Sequence, residues 1–223
     1  MLLAMDTTLA ACSVALANDD GLVAHQKQVM ERGQAEALLP MVEAVVEGAG
    51  RSMTDITRIA VTSGPGSFTG VRLAIAAARG LSLALKCPVA AVTTLELIAA
   101  KAVLDQNIPE GQKLAALIDA KRGQVFGQLF RAHASGFPVS AMEDAEPFEP
   151  TYPQRWLEHE PVLFGDGCHL IKEGHANTAL PDACDLARVS LRLGDARWGY
   201  HPAPFYVRGP SATPSTKPKL VVR

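Results

Sequence analysis

Ser63-Gly64-Pro65-Gly66-Ser67-Phe68-Thr69-Gly70-Val71-Arg72 follows the apolar run Ile59-Ala60-Val61 and precedes a long helical pattern. A strand must end there, turn sharply and feed a helix. Glycine supplies positive φ and lets another backbone come close. The first amides of a helix have no intrahelical partner and suit an anion. The stretch therefore has the form of a phosphate turn. It lacks the Gly-Lys-Ser/Thr of a Walker loop. Gly66-Ser67-Phe68 is not the Gly-x-Ser-x-Gly of a nucleophile elbow. Two readings stay open for residues 64–70: a tight strand-to-helix connection, or a working anion site.

Upstream, Leu2–Met5 is a short apolar strand closing on Asp6-Thr7-Thr8. Cys12–Ala17 and Leu22–Val29 are two more strands, joined by Asn18-Asp19-Asp20-Gly21, which is hairpin-turn chemistry. Residues 34–49 change to helical period, with Leu38, Val42, Val45 and Ala49 on one face and Pro40 placed in the first turns. Arg58–Thr62 is the strand that enters the glycine turn. Downstream, residues 71–86 read as a helix that is apolar nearly all round, which must be covered on every side. Pro88 ends it, Val89–Thr93 is a strand, and Thr94 is the expected N-cap of a helix running to Val103. Lys113–Ile118, Asp119 and Gln124–Arg131 then repeat the strand–Asp–turn–strand opening, which suggests two related lobes. Periodicity is weak from 135 to 182, Leu186–Trp198 has helical spacing, and the Pro-, Ser- and Thr-bearing residues 209–223 read as a loose tail. The expected division is 1–105, 106–208 and that tail.

The chain has 223 residues, 48% of them hydrophobic, enough for one large domain or two small lobes. With 21 basic and 23 acidic side chains it lacks the strongly basic surface of a nucleic-acid binder. No apolar run is expected to reach the roughly 18 residues of a membrane span, and the first residues do not resemble a signal peptide. Cys12, Cys87, Cys168 and Cys184 show no CxxC spacing and read as reduced thiols of a cytoplasmic protein. Cys168, His169, His175 and Cys184 fit no common zinc spacing. No histidine pair has i, i+3 or i, i+4 spacing. Asp6 reads either as a turn residue or as a nucleotide-site carboxylate, and Lys121-Arg122 as a solvated turn pair or an anion contact. The helices at 34–49 and 71–86 hold more apolar surface than one sheet needs. Burying about five Leu, Val or Ile side chains yields roughly 7–15 kcal/mol gross, against roughly 4–15 kcal/mol for lost rigid-body freedom. Both a partner seam and a wholly internal pair fit that balance.

Several strings resemble one family, in family order from residue 2 to about 208. They are Met5-Asp6-Thr7-Thr8 with Ala11-Cys12-Ser13-Val14-Ala15, Leu39-Pro40-Met41-Val42, Gly64 to Arg72, Thr93-Thr94-Leu95-Glu96, Ile118-Asp119-Ala120-Lys121-Arg122-Gly123-Gln124-Val125-Phe126, and Pro204-Phe205-Tyr206-Val207-Arg208. Together they resemble TsaB (YeaZ), the scaffold subunit of threonylcarbamoyladenosine (t6A) synthesis on tRNA, within a group once called glycoproteases. The resemblance implies an α/β, two-lobed actin/Hsp70/sugar-kinase-like fold of the ribonuclease H type, with a shortened second lobe. It implies a non-catalytic protein that lacks the His-x-x-x-His metal motif of the TsaD enzyme. The implied partners are a TsaD-type subunit, a TsaE-type ATPase and a second copy of the chain, with tRNA met only indirectly through the complex and no membrane.

The resemblance also implies a partner seam of Leu38, Leu39, Val42, Val45 and Val46 with Val71, Ala74, Ile75, Ala78 and Ser82. A vestigial nucleotide loop would comprise Asp6, Thr7, Gly64, Gly66, Gly70 and Asp119. No catalytic residue, metal ligand or cofactor is expected, with nucleotide bound weakly and only inside the complex. Glu31-Arg32-Gly33-Gln34-Ala35 departs from the family, in which a His and a small polar residue precede the first helix, and residues 135–185 match poorly. Two other readings remain: a nucleotide-dependent ATPase or kinase using Asp6, Gly66 and Asp119, and a metalloprotease.

Overall fold

Burial on both faces of the first two strands sets the architecture. The computed structural model describes residues 1–121, 123–134, 137–148, 160–171 and 180–207. β1 (Leu2–Asp6), β2 (Ala11–Asn18) and β3 (Gly21–Val29) form an antiparallel meander. Asn18 Oδ1 closes its tight turn by accepting from the amides of Asp20 and Gly21 at 3.0 and 3.1 Å. β4 (Arg58–Thr62) and β5 (Val89–Val92) extend this sheet in parallel, giving the order β3-β2-β1-β4-β5. The second sheet starts from the same device, with β6 (Lys113–Lys121) antiparallel to β7 (Gln124–Ala132). β8 (Val139–Ala141), β9 (Glu146–Phe148) and β10 (Val162–Phe164) complete it, β10 running parallel to β6. Two sheets, each begun by an antiparallel hairpin and extended in parallel, make up the expected actin/Hsp70/sugar-kinase-like fold.

Residue size decides how the layers stack. One face of the first sheet carries Leu3, Met5, Val14, Leu16, Ile59 and Val61 and is covered by α1 (Gln34–Gly48) and α2 (Phe68–Leu85). The opposite face carries mainly alanines, Ala4, Ala15, Ala17, Ala60 and Ala90. Small side chains let α3 (Thr94–Gln106) and α5 (Ala183–Ser190) lie close there, where they fill the space between the two sheets. A short helix, α4 (Cys168–Ile171), covers the far face of the second sheet. The expected 105/106 boundary falls inside α3, and α5 returns to the first sheet.

Several boundaries differ from the sequence reading. α2 begins at Phe68 rather than Val71, because Ser67 caps it by accepting from Gly70 N at 3.3 Å. Thr93, not Thr94, caps α3, in a reciprocal box with Glu96. Pro40 lies in the second turn of α1, where it has no N–H to give to the Glu36 carbonyl. The 186–198 helix is instead α5 followed by a separate 3-10 turn at Asp195–Arg197, and Asp182 starts α5 as its N-cap. α2 has 18 residues and a mean hydropathy of 1.4, long and apolar enough to span a membrane, contrary to the expectation. Its Val71, Ala74, Ile75, Ala78 and Ser82 face the sheet and are buried, as in a core-facing helix of a folded domain. The tail at 209–223 lies outside the described residues.

Beyond α5 the chain straps back over α2. Gly199 exchanges two backbone hydrogen bonds with Val89, at 2.5 and 3.0 Å. Arg79 donates from Nε and Nη2 to Pro202 O at 3.0 and 2.6 Å, and Phe205 N donates to Ser63 O at 2.8 Å. The glycine turn is thus held from one side by β1 and from the other by the C-terminal strap.

Candidate functional site

Asp6, the carboxylate that a nucleotide site would use, stands at the end of β1. It is only 4% exposed. One oxygen, Oδ1, accepts from Thr8 N at 2.9 Å, from Thr8 Oγ1 at 2.6 Å and from Thr62 Oγ1. Burial drives its pKa up, and those hydrogen bonds only partly pull it back, so the carboxyl lies above its ordinary value. A divalent cation wants an ionised carboxylate open to water and phosphate. Asp6 is turned inward and tied to Thr8 and to Thr62 on β4.

The glycines serve the same closure. A Cβ on Gly66 would overlap Thr8 O, and one on Gly70 would overlap Thr7 O. Gly64 has φ 100° and lies so close to Phe205 O that a Cβ would stand 2.9 Å from it. Ser67 N donates to Thr8 O at 2.7 Å, and Thr7 Oγ1 donates to Gly70 O at 2.7 Å. The space a phosphate would enter beside these glycines is filled by the Thr7-Thr8 backbone.

A cleft of about 390 Å³ does open between the lobes. Thr8, Leu9, Ala10, Glu31, Gln34, Gly66 and Ser67 line it from one side, and Ile118, Asp119, Lys121, Phe126 and Asp166 from the other. Among the described residues its charged lining is three carboxylates against one ammonium. Lys121, at φ 61°, is tied to Asp119 at 2.9 Å. Burial raises the Asp119 carboxyl, but the Lys121 hydrogen bonds and charge outweigh it and hold the pKa below the usual value. Asp166 is pushed up by burial. Such a lining repels a polyphosphate. Asp119 thus shares the cleft rim with Gly66, while Asp6, Thr7, Gly64 and Gly70 lie behind it.

Sequence reasoning missed Gly165-Asp166-Gly167. Asp166 Oδ1 accepts from Asp119 N at 2.9 Å, and Gly165 and Gly167 sit directly on the Leu117 and Ile118 backbone. A signal was present: an apolar run, then closely spaced glycines, then a helix, as at 59–70. Arg122 and His175 lie outside the described residues. Among the described residues no three His, Cys, Asp or Glu side chains gather as a metal set.

The expected seam residues fall differently. Leu38, Val42, Val45, Val46, Val71, Ala74, Ile75, Ala78 and Ser82 are all buried beneath α1 and α2. In the single chain these nine face the core, because the strongest apolar stripe of a surface helix faces the sheet it covers. Leu39 alone of the ten is exposed, at 49%. The outer face of the pair consists of Glu36, Leu39, Glu43, Ala44 and Glu47 on α1 with Arg72, Ala76, Gly80, Leu83 and Ala84 on α2. Leu83 is 83% exposed.

Residues 23–137 match the family model of TsaD, tRNA N6-adenosine threonylcarbamoyltransferase. The TsaB protein of Escherichia coli K12, named for tRNA threonylcarbamoyladenosine biosynthesis, is 38% identical over 60% of this chain and 57% of its own length. The chain thus spans under two thirds of that relative. TsaB of Buchnera aphidicola subsp. Schizaphis graminum is 31% identical over 77% of this chain and 81% of its own. In structure, a Pseudomonas aeruginosa protein described as similar to peptidase YeaZ superposes with a TM-score of 0.74 at 27% identity, covering 93% of this chain and 99% of that one. Pseudomonas aeruginosa YeaZ gives 0.68 at 29% identity, covering 85% and 89%.

Proposed function

Because the chain belongs to the TsaB family, we propose that it takes part in t6A biosynthesis as a non-catalytic partner that binds and activates a TsaD-type subunit. The observation that carries this reading is the sealed turn. Asp6 is buried against Thr8 and Thr62, and the Thr7-Thr8 backbone occupies the space beside Gly66 and Gly70. A protein that retains a nucleotide-type frame but fills its phosphate position is suited to shape and docking rather than turnover. The docking face is the outer side of α1 and α2. Ala76, Gly80 and Ala84 recur every four residues there, so another helix can approach closely. The same face serves a homodimer and the TsaD-type subunit in turn. A TsaE-type ATPase joins the assembled complex, tRNA is met through the complex, and the work is cytoplasmic. No cofactor belongs to this chain alone.

The size and inter-lobe position of the cleft, though not its acidic lining, suit a second reading, an ATPase or kinase acting on its own. Calorimetric titration of the isolated chain with ATP and Mg²⁺ separates the two. The partner reading expects no measurable heat at millimolar nucleotide and no phosphate release. Micromolar binding with turnover would overturn it.

A further inference from the structure

Arg72, on the second turn of α2, is held as a preformed cation at the edge of the docking face. Its guanidinium carbon lies 3.7 Å from the centroid of the Phe68 ring, a stacked cation–π arrangement. Tyr206 approaches from the C-terminal strap, its ring centroid 6.0 Å away, and Arg72 Nε donates to its hydroxyl at 3.0 Å. The two rings are 5.9 Å apart and tilted by 32°. Phe68, Arg72 and Tyr206 are all exposed. Arg72 forms no ion pair among the described residues, and its Nη groups have no partner there. Arg79, two turns further on, has its guanidinium committed to the Pro202 carbonyl instead.

The cluster combines exposure, aromatic and arginine composition and a fixed orientation, the features of interface residues that carry most of the binding energy. An arginine already held in place loses less freedom on association. We infer that Arg72, positioned by Phe68 and Tyr206, is the specificity-determining contact of the α2 face and receives a carboxylate side chain from the partner subunit through its open Nη edge. The inference rests on the docking reading given above. One guanidinium with its outer edge free matches one carboxylate in a paired hydrogen bond. A nucleic-acid backbone would call for several free cations side by side, and Arg79 is already engaged. Tyr206 comes from the far end of the chain, so the strap shapes the docking face as well as closing the fold.

The test is the affinity of the full chain for the TsaD-type subunit of the same organism, by calorimetry at two salt concentrations. Arg72→Met keeps an apolar stem of similar length and is expected to weaken binding by about tenfold or more. Arg72→Lys keeps the charge but not the fork, and is expected to recover less than half of that loss on a logarithmic scale. Tyr206→Phe keeps the ring and frees Nε, with a loss of about threefold. Wild-type binding should also weaken with salt more steeply than Arg72→Met binding. Unfolding midpoints of the variants establish that the fold is intact. Arg72→Met binding within twofold of wild type overturns the inference and leaves the docking reading standing, as does full rescue by lysine. Absence of wild-type binding overturns both. Arg72-dependent binding of tRNA to the isolated chain overturns the carboxylate assignment.

Discussion

Placing a methyl group on Gly70 tests what the glycine turn is for. A Cβ there would overlap Thr7 O, far inside the 3.0 Å that such atoms keep. The atom it meets is main chain at the end of a central strand, so it cannot rotate aside. β1 and the start of α2 must separate by about 1 Å. That strains Thr7 Oγ1→Gly70 O and Ser67 N→Thr8 O, both 2.7 Å. Losing two such bonds costs about 2 kcal/mol, and overpacking adds about 1–3 kcal/mol. Alanine recovers about 1 kcal/mol over glycine inside a helix. The net expectation for Gly70→Ala is a loss of about 2–4 kcal/mol, read from urea unfolding at unchanged m-value. Gly80→Ala is the matched control in the same helix. Nothing lies within 4 Å of its added Cβ, so it should gain about 0.5–1 kcal/mol. A loss under about 1 kcal/mol at Gly70 would refute the argument that the turn's glycines exist for chain-to-chain contact.

Four further outcomes are expected. Asp6 lies above its ordinary value because it is buried, so the folded chain binds that proton more tightly than the unfolded chain. Its contribution to stability is fully present below the ordinary aspartate value of 3.8 and is lost as pH rises through the folded pKa. Asp6→Asn should therefore gain on wild type as pH is raised from 3 to 7 in parallel denaturant titrations, and a constant difference would contradict the assignment. Asp182 caps α5 by accepting from Cys184 N at 2.9 Å and pairs with Lys27 at 3.1 Å. Burial raises its carboxyl, but the Lys27 hydrogen bond and charge outweigh this and hold it low. Asp182→Ala should cost about 1–2 kcal/mol at neutral pH, shrinking as pH falls below 3.8 and the wild-type carboxyl takes up its proton. On the outer face, Leu83→Asp should leave stability within about 0.5 kcal/mol yet abolish self-association in analytical ultracentrifugation. Val42→Asp, at a buried position, should instead unfold the domain by leaving a charge in the core.

The strands and helices of the first lobe were legible because β1 and β2, buried on both faces, are continuous apolar runs between turn signals, and α1 and α2 each bury one stripe of 3.6-residue period on the sheet. The second hairpin, β6 and β7, was legible for the same reason. The three-residue strands β8, β9 and β10 carry too few alternations to register. α5 was misplaced because apolar spacing continues through Leu191 and Leu193, whereas the Asp182–Asp185 capping box fixes its start at Ala183. The site was half legible. Asp6, the glycine turn and Asp119 were all marked by residue type, but only the structure shows that Thr7 and Thr8 fill the turn. Periodicity reports the face buried in the chain's own core, whereas the outer face of Leu39, Ala76, Gly80 and Leu83 has no apolar rhythm to detect. Nor can it reveal that Tyr206 meets Arg72 across more than a hundred residues of sequence.

The central claim is that this chain contributes docking rather than chemistry. The most direct measurement is tRNA threonylcarbamoylation reconstituted from the TsaD- and TsaE-type subunits with no added chain, with wild-type chain, and with Asp6→Asn. The account predicts little modification without the chain and equal rates with wild type and Asp6→Asn. Modification that proceeds without the chain, or a rate that falls tenfold or more with a folded Asp6→Asn, would contradict it.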